Sequence, residues 1–223
     1  VRLATIGLNP SNIEFLDGDS SAFFSEGERR LATLESLGAH STDDLDQRQV
    51  KQVVEDCARY FESDRNPYNT WFKPLDAIIQ RAFGDEWSYY NKTVCHLDLV
   101  QWATDPKWND LSKPQKDILI EDGRDHLYEQ LKTEKIEMVL VNGAGVWDEL
   151  VRLESFNVVG ESETGFFSVN HTKYKRVRGE RLGVNFFGWT CNIQSQPGAN
   201  EKQLSIDLSE WLHKVAAPHL SHQ

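Results

Sequence analysis

Leu3-Ala4-Thr5-Ile6-Gly7-Leu8-Asn9-Pro10-Ser11 opens the chain and decides its reading. A short apolar run stops abruptly at Gly-Leu-Asn-Pro-Ser, which predicts a buried strand from about Arg2 to Leu8 and a sharp turn. The amide of Asn9 then stands at the carboxyl end of a strand, where open α/β sheets place their sites. Asn-Pro is also an ordinary turn starter, so the motif needs partners. A second loop of the same texture, Gln194-Ser195-Gln196-Pro197-Gly198-Ala199-Asn200, follows another strand-like run near the other end.

Between these loops, strand and helix signals alternate. Helices are expected over Glu28–Leu37, from the Ser41–Asp44 cap cluster to about Phe61, from a Thr70 cap through Phe83, over Pro114–Lys132, over Val146–Leu153 and over Glu201–Val215. Val50, Val53, Val54, Cys57 and Tyr60 form the expected apolar face of the second helix, and Pro74 fits a first turn of the third. Strands are expected at Thr93–Val100, Ile136–Val141 and Val184–Ile193, with short β-like segments over 156–181. The alternation predicts an α/β fold: a four-stranded, mostly parallel sheet flanked by helices, with a β-hairpin-rich insertion at 156–181. No Pro/Gly/Ser-rich linker divides the 223 residues, so one domain is expected.

Bulk chemistry narrows the function classes. Seven Trp argue against a disordered chain, and no apolar run reaches membrane-spanning length. No signal peptide is visible, so a cytoplasmic protein is expected. Val1 is not an initiator Met, which leaves a trimmed start open. Cys57, Cys95 and Cys191 form no Cys-x-x-Cys pair; no metal or other cofactor is expected, and the three read as small buried apolar residues. A net charge of −11 repels nucleic acid overall. The exception is local: Lys173, Lys175, Arg176, Arg178 and Arg181 crowd into nine residues. They read either as a phosphate-contacting ribbon or as charges guarding a sheet edge.

Three strand ends carry polar groups: Asn9, then His96 and Asp98 in Cys95-His96-Leu97-Asp98-Leu99, then Gln196. In this order and spacing the chain resembles the uracil-DNA glycosylase superfamily. Gly7-Leu8-Asn9-Pro10-Ser11 is similar to the first catalytic loop of its thymine-DNA and single-strand-selective branches, with Ser11 in place of the last Gly. Gln196-Pro197-Gly198 resembles the second loop, usually His-Pro-Ser. Leu97-Asp98-Leu99-Val100 sits where the family has a base-reading Asn, and Val139-Leu140-Val141-Asn142-Gly143 resembles its third strand and glycine-bearing loop. Some two dozen residues carry the likeness, although its element order spans most of the chain.

The resemblance implies a DNA glycosylase, acting as a monomer without a cofactor on a base flipped into a pocket. Such cleavage builds positive charge on the sugar and negative charge on the departing base. Asn9 is expected to hold water, with the backbone amides around Leu8 and Asn9 near the base O2, Gly7 beside them in the base-binding loop, and Gln196 donating to the departing base. Asp98 is expected to read the base edge beside His96, and Tyr68, Trp71 or Phe72 to stack on it, Tyr68 first because it lies beside a turn while the other two fall at helical core spacing. Lys173, Lys175, Arg176, Arg178, Ser195, Pro197, Gly198 and Asn200 are expected to meet DNA, and His171 to lie near phosphate. An ionised Asp only accepts, which suits the exocyclic amino group of cytosine rather than uracil. The bland alternative is an Asp paired with His96.

Sparing ordinary cytosine requires a filter, such as a bulky C5 group. The resemblance extends to prokaryotic antiviral glycosylases that remove glucosylated hydroxymethylcytosine from phage DNA, with Asp17–Ser25 and the surroundings of Tyr174 as sugar contacts. Three alternatives stay open: a uracil or mismatch repair glycosylase, a module that holds a modified base without cutting, and a small-molecule nucleoside hydrolase. All of them require residues 9, 98 and 196 to converge.

Overall fold

A computed structural model describes residues 1–16, 28–133, 135–154, 156–163, 174–196 and 198–220. The strands are β1 (Leu3–Gly7), β2 (Val94–Asp98), β3 (Met138–Asn142), β4 (Asn157–Glu163), β5 (Lys175–Arg181) and β6 (Val184–Trp189). The helices are α1 (Leu34–Leu37), α2 (Gln47–Ala58), α3 (Asn69–Phe83), α4 (Lys113–Thr133), α5 (Ala144–Arg152) and α6 (Ala199–Val215).

The fold is α/β, but the sheet has six strands rather than four, in the order β2-β1-β3-β6-β5-β4. β2, β1, β3 and β6 run parallel, while β5 and β4 are antiparallel additions. The segment expected as an insertion therefore extends the sheet. Its local cause is the two-residue turn Leu182-Gly183, with φ of 56° and 76°. Positive φ at both central residues matches the twist of paired strands, so β5 folds directly back onto β6.

β1 and β3 are buried along their whole length, as expected for strands covered on both faces. One face carries Leu3, Val94, Met138 and Leu140 against α3 and α6. The other carries Ala4, Ile6, Leu97 and Val139 against α4 and α5. Each fully buried aliphatic side chain, such as Ile78 or Leu127, contributes about 1.5–3 kcal/mol.

Several boundaries differ from expectation for local reasons. The helix expected over Glu28–Leu37 shrinks to α1, capped by Thr33 and stopped by left-handed Gly38. α2 starts at Gln47 because Asp46 accepts from the amides of Arg48 and Gln49 while Gln49 reaches back, a closed capping box. The Ser41–Asp44 cluster makes only a short turn. The supposed apolar face of α2 is largely open to solvent: Val50 is 47% and Val54 60% exposed, and Cys57 is exposed rather than buried. The buried member of that helix is Asp56, paired with Arg65.

α3 starts at Asn69, without the Thr70 cap, and Pro74 lies inside it. The proline removes the amide that would reach back to Thr70. In the same turn the carbonyl of Trp71 accepts from Gln194 Nε2, at 2.7 Å.

Candidate functional site

On the face covered by α3, side chains change character along each strand. β1 presents Leu3, then Thr5, then Gly7; β2 presents Val94, His96 and Asp98; β3 presents Leu140 and then Asn142. The starts of the strands are core, and their carboxyl ends are polar. β1 sits where the connections diverge, with β2 on one side and β3 leading to β6 on the other. That is the topological switch point, where open sheets form a ligand crevice.

Gly7 stands opposite Asp98 in the β1–β2 register. A Cβ on Gly7 would lie 2.7 Å from Asp98 Oδ1 and 2.9 Å from His96 Nε2. Both polar atoms therefore lean into the space that glycine leaves. They are 3.6 Å apart, within ion-pair range but beyond an ordinary hydrogen bond. The two side chains are 15% and 19% exposed, so neither is sealed off from a ligand. His96 is held from behind: Nδ1 lies 2.7 Å from Thr5 Oγ1, and Phe72 packs edge-on at 5.0 Å between ring centroids. Phe72 is a core residue, in edge contact also with Tyr60, Phe61 and Tyr89. Its role here is to brace the imidazole; the structure gives it no open stacking face.

Asn9 sits just past β1. Its Nδ2 donates to Pro10 O at 3.1 Å, Trp102 O at 3.3 Å and Thr104 Oγ1 at 3.4 Å. The amide thus ties the first loop to the loop after β2 and leaves Oδ1 as its acceptor face. Leu8 is anchored by its carbonyl, which accepts from Val100 N at 2.9 Å. Trp102, which sequence reading passed over, is 47% exposed beside Asn9, with its indole N–H held by Asp122 at 2.9 Å. Nothing in its spacing marked it; only the fold of the β2–α4 loop brings it here.

The second loop is held by a different glutamine from the one singled out. Buried Asn142 accepts from Trp189 Nε1 at 2.8 Å and from Ile193 N at 3.1 Å, and donates to Gln194 Oε1 at 2.6 Å. Gln194 passes this on to Trp71 O. Gln196 is half-buried, its Nε2 3.4 Å from Asn192 O, and Ser195 is exposed. Gly198 is the exposed residue before α6; Pro197 and the side chain of Asn200 lie outside the described residues. Asn9 and Asp98 stand at adjacent strand ends, and Gln196 follows β6 on the same carboxyl edge of the sheet; it is Gln194, through Trp71 O, that ties the second loop to α3. Replacing Asn142 by Leu strands two buried N–H donors, so urea unfolding should show a loss of about 2–4 kcal/mol. Unchanged stability would mean that the loop is held by other contacts.

Glu14, also missed, is a buried carboxylate five residues past Asn9. Tyr60 donates to it at 2.7 Å, and Arg30 lies 3.5 Å away. Burial pushes its pKa up; the Tyr60 bond, Arg30 and His96 pull the other way without cancelling the shift. The native state therefore holds this proton to higher pH than the unfolded chain does. The stabilisation is complete below about pH 4.3, the ordinary glutamate value, and is lost as pH rises through the raised one. Glu14→Gln lacks this loss. Its urea midpoint relative to the parent protein should climb as pH rises above about 4.3; a constant difference would contradict the shift. Tyr68 adjoins this cluster, its amide accepted by Tyr60 Oη and its ring 5.3 Å from the Arg30 guanidinium, which occupies one face. Tyr68 is partly buried and also packs against the core cluster that contains Phe72.

The basic ribbon is divided. Arg176 turns towards α6, near Trp211 at 5.6 Å and the carbonyl of Asp207 at 3.3 Å. Arg181 stacks on Tyr128 of α4 at 4.4 Å. Strand alternation sends these two side chains to opposite faces of the sheet, so the five charges do not form one patch, and Arg176 is a packing residue. Lys175 and Arg178 are exposed. Lys173, His171 and the Asp17–Ser25 segment lie outside the described residues, and Tyr174 is buried.

Among the described residues, no helix is long and apolar enough to cross a membrane, and no group of three His, Cys, Asp or Glu is placed to hold a metal. Comparison with protein-family models, curated proteins and solved structures finds no match for this chain.

Proposed function

We propose that this chain is a monofunctional DNA glycosylase, working in the cytoplasm as a monomer, that hydrolyses the N-glycosidic bond of a flipped, modified cytosine. Glucosylated hydroxymethylcytosine of phage DNA is the leading substrate, and the product is an abasic site. One observation carries the reading: Gly7, Asn9, His96 and Asp98 meet at adjacent strand ends at the switch point, and the Asn142–Gln194 link holds the second loop on the same edge.

The chemistry follows from those positions. With Nδ2 engaged by the two loops, Asn9 Oδ1 accepts a hydrogen bond from the attacking water and orients it; the proton that water loses as it bonds to the sugar passes to solvent or to the departing base anion. An amide orients water but is a poor general base, so the rate depends on stabilising the separating charges. Gln196 Nε2, at 3.4 Å from Asn192 O, has a long contact to exchange for the oxygen of the departing base. Asp98 accepts from the exocyclic amino group. Exposed Lys175, at the carboxyl edge beside Thr190, contributes a phosphate contact, whereas Arg178 projects from the opposite face of the sheet; the apolar Trp102 ring offers a surface for unstacked DNA.

The deciding experiment incubates the protein with several naturally modified DNAs and detects the liberated base. Glucosylated phage DNA should gain abasic sites while unmodified cytosine DNA stays intact. No release from glucosylated DNA ends the substrate reading, and release of uracil alone favours a repair enzyme. A second reading, a module that holds the base without cutting, draws on the absence of a titratable group at positions 9 and 196. It would be favoured by tight binding of modified DNA with no abasic product from any substrate.

A further inference from the structure

Behind the candidate site a buried chain of hydroxyls controls which nitrogen of His96 carries hydrogen. Tyr89 Oη lies 2.7 Å from Thr5 Oγ1, which lies 2.7 Å from His96 Nδ1. Tyr89 is fully buried and Thr5 nearly so. Thr5 has one hydroxyl hydrogen and sits between two groups. If Tyr89 donates to Thr5 and Thr5 donates to Nδ1, every hydrogen in the chain has an acceptor. If Nδ1 carries the hydrogen in a neutral ring, either the Tyr89 or the Thr5 hydroxyl hydrogen is buried without an acceptor, which is costly. The neutral ring is thus set with N–H at Nε2. A protonated ring also carries N–H at Nε2. In both states Nε2 is a donor, and it faces the side where Asp98 Oδ1 is an acceptor.

We propose that His96 and Asp98 act as one donor–acceptor pair that reads an amidine edge, meaning a ring nitrogen acceptor beside an exocyclic amino donor. This rests on the reading of the site as a nucleobase pocket and specifies what that pocket accepts. Nε2–H of His96 points at the ring nitrogen, and Oδ1 of Asp98 receives the amino hydrogen. Cytosine and its 5-substituted derivatives present this edge at N3 and N4, and adenine presents it at N1 and N6. Uracil and thymine present the reverse polarity, N3–H beside O4, so donor would face donor at His96 and acceptor would face acceptor at Asp98. Gly7 is part of the device, because both reading atoms lie within 3 Å of where its Cβ would be. The 3.6 Å gap between Nε2 and Oδ1 leaves both groups able to turn to a ligand. The specificity assigned to Asp98 alone is thereby shared with a histidine whose hydrogen is placed by Thr5 and Tyr89.

The test separates reading from cutting. Oligonucleotides each carry a single 2′-fluoro nucleotide, which blocks glycosidic cleavage, bearing cytosine, 5-hydroxymethylcytosine, adenine or uracil. Fluorescence anisotropy gives their affinities for the full chain. The proposal expects at least one of the amidine-edged bases to be bound about tenfold or more tighter than uracil; the cytosine and adenine arms then tell which ring the site admits. Asp98→Asn, checked for folding by circular dichroism, should erase or reverse that preference. Equal or tighter binding of uracil by the parent protein, or an unchanged preference in folded Asp98→Asn, overturns the pair. Nitrogen-15 spectra of the histidines supply a test that needs no variant at the site: His96 should show hydrogen on Nε2, and a neutral ring protonated on Nδ1 overturns the proposal. Discrimination without cleavage of the unfluorinated DNA would uphold the reading pair and defeat the glycosylase. Cleavage of uracil DNA without discrimination would do the reverse.

Discussion

Alanine at position 9 should lower the single-turnover rate of base release from glucosylated DNA by about 100- to 10,000-fold, the range typical of a lost proton-handling or water-orienting group. The effect belongs to the chemical step. Asn9 Nδ2 holds the two loops through contacts of 3.1–3.4 Å, all near the long end of hydrogen bonding, so their loss should cost little stability. Binding of 2′-fluoro DNA, which cannot be cut, should stay within a few-fold of the parent protein. A folded Asn9→Ala protein that releases base at the parental rate would remove Asn9 from the mechanism. A parallel loss of binding would instead assign it to loop positioning.

Gly123→Ala should destabilise the fold by about 2 kcal/mol, the reverse of what its place in a helix suggests. A glycine inside a helix ordinarily gains about 1 kcal/mol on becoming alanine. Here the Cβ would stand 2.2 Å from the carbonyl oxygen of Leu99 and 3.1 Å from Val100 Cα. Those are backbone atoms, which cannot swing aside. Either α4 lifts off its core partners or the loop after β2 moves; overpacking of this kind costs about 3 kcal/mol at the top of its usual range. Leu99 directly follows Asp98, and its amide bonds to Gly7 O at 3.1 Å, so displacement there carries into the reading pair. Urea unfolding measures the first consequence, and cytosine-over-uracil discrimination the second. A variant at least as stable as the parent protein would show that α4 does not press on this loop.

The features legible in the sequence were those with a local cause. β1 could be found because Leu3–Ile6 is apolar and Gly7 to Pro10 cannot continue a strand. The Asn9 loop and the Gln194–Asn200 loop were visible through their turn residues. The division of β5 between two faces was also written in its period of two, yet five charges in nine residues look alike until the partner surfaces are known. α2 misled for a similar reason: Val50, Val54 and Cys57 recur at helical spacing, but among the described residues nothing packs over Val50 and Val54 well enough to bury them.

What the sequence determined by itself is the order of strands and helices, and the placement of Asn9, His96 and Asp98 at strand ends, because a period of two and a Gly-Pro stop act over a few neighbouring residues. Tertiary structure alone decided that Asn142 and Gln194 rather than Gln196 hold the second loop, that Glu14 is buried beside the site, and that Tyr89 reaches His96 through Thr5. Those contacts join residues tens of positions apart. Their energies depend on desolvation and on hydrogen-bond geometry across packed elements, and no local pattern encodes either.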